Sequence, residues 1–197
     1  MAYNTDQYHR RSLRLPGYDY TRSGAYFVTI CTRHRACLFG EIVDDEMRLN
    51  KYGAVVQKEW ERTGHIRENV EIDMFVVMPN HIHGIIVIPG RGTLPRAPTA
   101  ERFGKPTSNS VPTIIRLLKS TTTKRINKMR NTPGVPVWQR NYYEHIIRDD
   151  KSLNQIREYM VNNPRQWVMD RENPDAAIRT IGARGHVPLP KGESWRV

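Results

Sequence analysis

Hydrophobic positions along the chain fall into segments with period two, as in strands, and segments with helical spacing. Tyr26 to Thr32 (Tyr-Phe-Val-Thr-Ile-Cys-Thr) is β-branched and aromatic and predicts a first strand. Leu38 to Val43 and Met47 to Leu49 predict a small hairpin around Asp44-Asp45. Asn50 is placed to cap a helix over 51–64, whose apolar positions Tyr52, Val55, Val56 and Trp60 share one face. Met74 to Ile88 then reads as two short apolar strands joined by a tight turn at Pro79-Asn80. Residues 89–110, rich in Pro, Gly, Arg, Ser and Thr, predict a long loop. Val111 to Met129 predicts a second helix with Ile114, Ile115, Leu117 and Leu118 as its buried stripe. Val137 to Arg148 reads as a further strand with aromatic content. Asp149 or Asp150 caps a last helix over 151–162, with Leu153, Ile156 and Met160 inward. Pro164 disfavours helix at Asn163 and is expected to end it.

Without the hairpin and the last helix, this order is β-α-β-β-α-β, the split unit of the ferredoxin-like α+β sandwich. The middle strand pair, Met74 to Ile88, is expected at the centre of the sheet. Three parts follow: an arm over 1–23, a folded domain over 24–168 and an irregular tail over 169–197. No internal repeat is present.

Composition narrows the class of partner. The chain has 197 residues and a formal net charge of +11, with 31 Lys and Arg against 20 acidic residues. That excess points to a polyanion, with nucleic acid ahead of a membrane surface. No long apolar run reads as a membrane span, and the polar, basic N-terminus does not read as a signal peptide. The two cysteines, Cys31 and Cys37, fit neither a disulfide framework nor a four-ligand zinc site, so a reducing cytoplasm is expected. In the arm, Arg10, Arg11 and Arg14 stand among tyrosines, which fits either a segment laid along a phosphate backbone or a flexible terminus. On the second helix, Arg116, Lys119, Lys124, Arg125, Lys128 and Arg130 give a basic exterior. No acidic residue occurs from Lys105 through Gln139, which favours phosphate contact over ordinary solvation.

The candidate chemistry starts at His81 and His83. Two residues apart on a strand, their imidazoles share one face, while Ile82 points into a core. Such a pair can hold one metal ion, or can be a solvated polar edge. Gly84 follows, and a strand glycine marks close approach by a ligand or another backbone. No Gly-rich phosphate loop is present, which argues against an NTPase. Nor is there a dense acidic cluster of the two-metal nuclease kind. Tyrosine is plentiful. A phenol, with a pKa near ~10, is a weak nucleophile by itself, but a divalent ion can polarise the phosphate it attacks.

His81-Ile82-His83 after Val-Val-Met-Pro-Asn resembles the His-hydrophobic-His motif of the HUH single-strand endonucleases. Gly24-Ala25-Tyr26-Phe27-Val28-Thr29, Trp138-Gln139-Arg140, Glu144-His145-Ile146-Ile147-Arg148, and Tyr159 with Asn163-Pro164 narrow the resemblance. Together they are similar to single-tyrosine transposases of the small insertion-sequence type, and nearest to the REP-associated tyrosine transposases. The likeness spans about residues 8–168. It implies Tyr159 as nucleophile, ahead of Tyr142 and Tyr143, and Asn163 as a third metal ligand beside His81 and His83. Tyr159 and Asn163, at i and i+4, share a helix face. The resemblance also implies Mg²⁺ or Mn²⁺, although imidazole by itself suits Zn²⁺ better. The implied substrate is single-stranded DNA near a hairpin, cleaved through a 5′-phosphotyrosine by a monomer or a homodimer. Two other readings stay open: a replication- or relaxase-type initiator, and a non-catalytic nucleic-acid-binding protein that has kept the fold.

Overall fold

In this computed structural model, residues 18–89 and 109–176 are described. Arg10, Arg11 and Arg14, most of the expected 89–110 loop and the end of the expected tail lie outside them. The strands are β1 (Gly24–Cys31), β2 (Gly40–Val43), β3 (Glu46–Leu49), β4 (Glu71–Val77), β5 (His81–Ile88) and β6 (Tyr143–Ile147). The helices are α1 (Lys51–His65), α2 (Val111–Arg130) and α3 (Asp150–Asn162), with single 3₁₀ turns at Arg33–Arg35 and Trp167–Met169.

Four strands form one sheet in the order β4-β5-β1-β6, each pair antiparallel. This is the ferredoxin-like arrangement, and the fold is α+β as expected. The middle strand pair is not central as a unit, however. The crossovers place β1 between β5 and β6, so β5 is interior and β4 is an edge.

The sheet has two differently covered faces. Tyr26, Val28 and Ile30 of β1 and Ile82 and Ile86 of β5 share a core with Val56 and Trp60 of α1 and Ile114, Ile115 and Leu118 of α2. On the other face a smaller cluster joins Phe27 and Ile85 to Ile156 and Met160 of α3. The two-residue period therefore sends Thr29, Cys31, His81 and His83 to the α3 side. Register places Thr29 opposite His83 and Cys31 opposite His81. Gly84 belongs to the α1 side. A Cβ there would overlap the ring of Trp60, so this glycine admits a core tryptophan rather than a ligand.

Local chemistry accounts for the boundaries. Asp44 and Asp45, with φ of 52° and 62°, make the two-residue turn between β2 and β3. Asn50 Oδ1 accepts from the backbone N–H groups of Tyr52 and Gly53 at the start of α1. Asp149 does the same for Ser152, so α3 begins at Asp150. Asn163 keeps right-handed helical dihedrals despite Pro164, and the chain continues into the Trp167–Met169 turn.

Two expectations are corrected. Leu117 lies on the flank of α2 and is exposed, and Ile126 completes the buried stripe instead. The strand expected over Val137–Arg148 shrinks to β6, with one isolated bridge between Thr32 and Trp138. Between them the backbone turns toward α2, because the Lys119 ammonium donates to the carbonyls of Gln139, Arg140 and Asn141. Among the described residues no helix is long and apolar enough to cross a membrane.

Candidate metal and nucleophile site

His81 and His83 are almost fully buried under α3, and their Nε2 atoms are 3.0 Å apart. The outer nitrogen of each ring is occupied. Asn80 Oδ1 lies 2.8 Å from His81 Nδ1, and Thr29 Oγ1 lies 2.8 Å from His83 Nδ1. The Asn80 amide nitrogen donates to the carbonyls of Arg35 and Glu172, which fixes its oxygen as an acceptor. His81 Nδ1 is therefore a donor, and a ring that is neutral with its proton there presents a lone pair at Nε2. Groups that fix the outer nitrogen in this way orient a histidine for ligation.

α3 is held over the pair by Ile156 and Met160 from below and by an Arg157–Asp73 ion pair of 2.8 Å to β4. This docking brings the Tyr159 hydroxyl 3.3 Å from His83 Nε2. The Tyr159 ring meets His83 edge-on, with centroids 5.3 Å apart, while Phe27 stacks on His83 at the same separation. Of the other tyrosines considered, Tyr142 packs against the α1–α2 core, and Tyr143 packs against the α3-side cluster through its contact with Phe27.

A third group closes the site. Ligand atoms of His81, His83 and Asp170 all lie within 4.8 Å of one another. Asp170 follows the 3₁₀ turn after α3, in the stretch expected to be an irregular tail. The folded body in fact continues through Ala176, with Glu172 N–H on Asp170 Oδ1 and Ala176 N–H on the Asn173 carbonyl. Asn163 is buried, and its amide nitrogen donates to Asp170 Oδ2 at 3.0 Å. Its Oδ1 is also buried and has no hydrogen-bond partner among the described residues. No sequence signal pointed to Asp170. It is distant from the histidines along the chain and shares no periodic spacing with them, and only the turn after α3 delivers it.

The surroundings are tightly tied. Trp167 lies over His81, with ring centroids 6.1 Å apart. Cys31 Sγ donates to Glu172 Oε2, and burial, followed by the negative charge of Glu172, pushes its thiol up to about 12. Glu172 also pairs with Arg35 at 3.1 Å.

The basic residues of α2 separate into different roles. Arg125 pairs with buried Glu59 of α1 at 2.8 Å, and Lys119 is spent on the three carbonyls, its pKa lowered by burial to about 8. Arg130 donates to Asn127 Oδ1 at the helix end. Arg116, Lys124 and Lys128 are exposed.

Comparison with known proteins fits this geometry. No family model matches the chain. An uncharacterized protein of Haemophilus influenzae is 45% identical over 174 residues, 86% of this chain and 96% of that one, and the two belong to one family. A second protein of the same organism, named as a REP-associated tyrosine transposase, is 26% identical over 154 residues, covering 74% of this chain and 73% of its own length. A solved REP-associated tyrosine transposase bound to a REP hairpin is 22% identical and covers 74% of this chain and 69% of its own, with a TM-score of 0.50. This chain is similar to the REP-associated tyrosine transposases. With them it shares a transposase-like fold, and within that fold its histidine pair, Asp170 and Tyr159 meet on one face of the sheet.

Proposed function

We propose that the chain is a metal-dependent single-stranded DNA endonuclease and strand transferase. It acts near DNA hairpins through a covalent 5′-phosphotyrosine on Tyr159. The observation that carries this reading is the convergence of a phenol hydroxyl on a buried histidine pair, 3.3 Å from His83 Nε2, beside a carboxylate.

The donor set fits a divalent ion. Two Nε2 atoms only 3.0 Å apart, their outer nitrogens already committed, are well placed to converge on one cation. Asp170 adds an oxygen donor, and the unpartnered buried Oδ1 of Asn163 is a further one. A set mixing carboxylate and amide oxygen with imidazole suits Mg²⁺ or Mn²⁺ better than imidazole does alone. When bound, the ion would polarise the scissile phosphate and neutralise charge developing on its oxygens.

The chain's own residues supply the rest. α3 holds the Tyr159 oxygen at the mouth of the site, so attack needs no large movement of the nucleophile. The phenol gives up its proton to solvent as its oxygen bonds to phosphorus, the bond to the 3′ oxygen breaks, and that oxygen takes a proton from solvent, so the leaving strand ends in a 3′ hydroxyl. The tyrosine ester keeps the phosphodiester energy, which allows rejoining to a new 3′ hydroxyl without ATP. Lys124 and Lys128, exposed on α2 across the sheet from the site, offer phosphate contacts to the rest of the strand. The test is incubation of labelled hairpin DNA with Mn²⁺, followed by a denaturing gel and mass spectrometry. A DNA adduct on Tyr159, absent from Tyr159→Phe, is expected. DNA binding with no adduct would favour the non-catalytic reading.

A further inference from the structure

A cleft of about 810 Å³ opens between the C-terminal half of α2 and the segment over 133–140. That volume lies within the range of small-molecule sites, about 300–1,000 Å³. Its lining divides by chemistry. Pro136, Val137 and Trp138 give it an apolar wall and floor, while Lys124, Lys128 and Arg140 supply cations, and no acidic residue lines it.

The cleft is braced from several sides. Trp138 Nε1 donates to Thr122 Oγ1 at 2.9 Å, and Asn127 ties Val135 to the helix at 2.8 Å. Lys119 fixes the backbone of 139–141. These bonds shape the cleft within the protein itself, so binding need not order the loop first. The wall is also continuous with the candidate site. Gln139 N–H donates to the Cys31 carbonyl, and Arg33 N–H donates to the Val137 carbonyl. Cys31 is the register partner of His81. The cleft wall and the candidate site therefore both adjoin the C-terminal end of β1.

An apolar interior with cations and no anions matches one repeat of a nucleic-acid strand, a flat base flanked by phosphates. We propose that this cleft binds one nucleotide of the single-stranded DNA. Its base lies against Pro136 and the floor formed by Val137 and Trp138, and its neighbouring phosphates lie on Lys124, Lys128 and Arg140. This deepens the nuclease reading and rests on it. It also gives these cations a defined register on the strand, which a uniformly basic helix face would not.

The test is a binding scan by fluorescence anisotropy. The probe is a fluorescein-labelled hairpin oligonucleotide with a single-stranded flank, in which one flank nucleotide at a time is made abasic. Wild type should show one position where loss of the base weakens binding about fivefold or more, the scale of one stacked base. Ser120 lines the cleft and is exposed, so Ser120→Trp fills it without removing a charge. That variant should bind the intact probe as weakly as wild type binds the abasic one, and should no longer sense the abasic position. If Ser120→Trp fails to fold by circular dichroism, Arg140→Gln takes its place and should weaken the intact probe and flatten its salt dependence. A flat abasic scan, or wild-type binding by the variant that folds, overturns the cleft assignment. Adduct formation on Tyr159 is scored in parallel. An adduct with a flat scan overturns the cleft and keeps the nuclease, whereas a sensitive position with no adduct keeps the cleft and overturns the nuclease.

Discussion

The Tyr159 hydroxyl and His83 Nε2, 3.3 Å apart, belong to one chain, and the helix carrying Tyr159 is docked on the sheet that carries His83. A tyrosine and a histidine pair brought together within one chain predict action in cis. Mixing Tyr159→Phe with His83→Ala should yield no covalent adduct, because neither protein can lend its intact half. Restoration of adduct in the mixture would show that α3 is exchanged between subunits. Tyr142→Phe and Tyr143→Phe should each form adduct as wild type does.

Thr29 supports the site through its hydroxyl, 2.8 Å from His83 Nδ1. Removal of such an outer partner from a metal-bound histidine costs roughly 10- to 100-fold in metal affinity or activity. Thr29→Val is nearly isosteric and should raise the Mn²⁺ concentration for half-maximal cleavage by about that factor, with cleavage recovering at high Mn²⁺. His83→Ala should not recover at any concentration, yet should still bind DNA. Undiminished cleavage by His83→Ala in EDTA would remove the metal from the mechanism.

Asp170 and Asn163 are linked by one hydrogen bond, and of the two Asp170 is grouped with His81 and His83. With Asp170 as a ligand, Asp170→Ala should weaken Mn²⁺ binding, measured by calorimetry, at least as much as Asn163→Ala does. A metal affinity unchanged by Asp170→Ala, combined with its loss in Asn163→Ala, would assign the third position to the amide and leave Asp170 as its anchor.

The division of labour among the α2 cations predicts different phenotypes. Lys124→Ala with Lys128→Ala should flatten log K against log salt by about 0.7 unit per lost contact on single-stranded DNA. Arg125→Ala should leave that slope nearly unchanged and lower stability instead by about 1–3 kcal/mol, because buried Glu59 loses its nearer partner and keeps only Arg62 at 3.9 Å. Chemical denaturation and salt-dependent anisotropy separate the two effects.

The Cys31 thiol, pushed up to about 12 by burial and by Glu172, keeps its proton where an unfolded cysteine, near ~8.5, loses it. Its contribution to stability is therefore complete below the ordinary value and declines as pH rises from there toward about 12. In a Cys37→Ser background at pH 8, Cys31 should react with a thiol reagent only after unfolding in urea. Rapid reaction of the native protein would place the thiol in a looser setting.

Local pattern determined the elements. The period-two run from His81 placed both imidazoles on one face, Asn50 and Asp149 marked helix starts through their own side-chain oxygens, and Asp44-Asp45 marked a turn. These properties depend on neighbours along the chain, so the sequence carries them directly. Tertiary structure decided what depends on partners far away in sequence. Gly84 read as room for a ligand until Trp60 was found to fill that space. A strand predicted through Val137–Arg148 gave way where the half-buried Lys119 competed for its carbonyls. The α2 cations looked alike until Glu59 claimed Arg125. Asp170 had no motif at all, since its place beside His81 and His83 arises only from the docking of α3 and the turn that follows it.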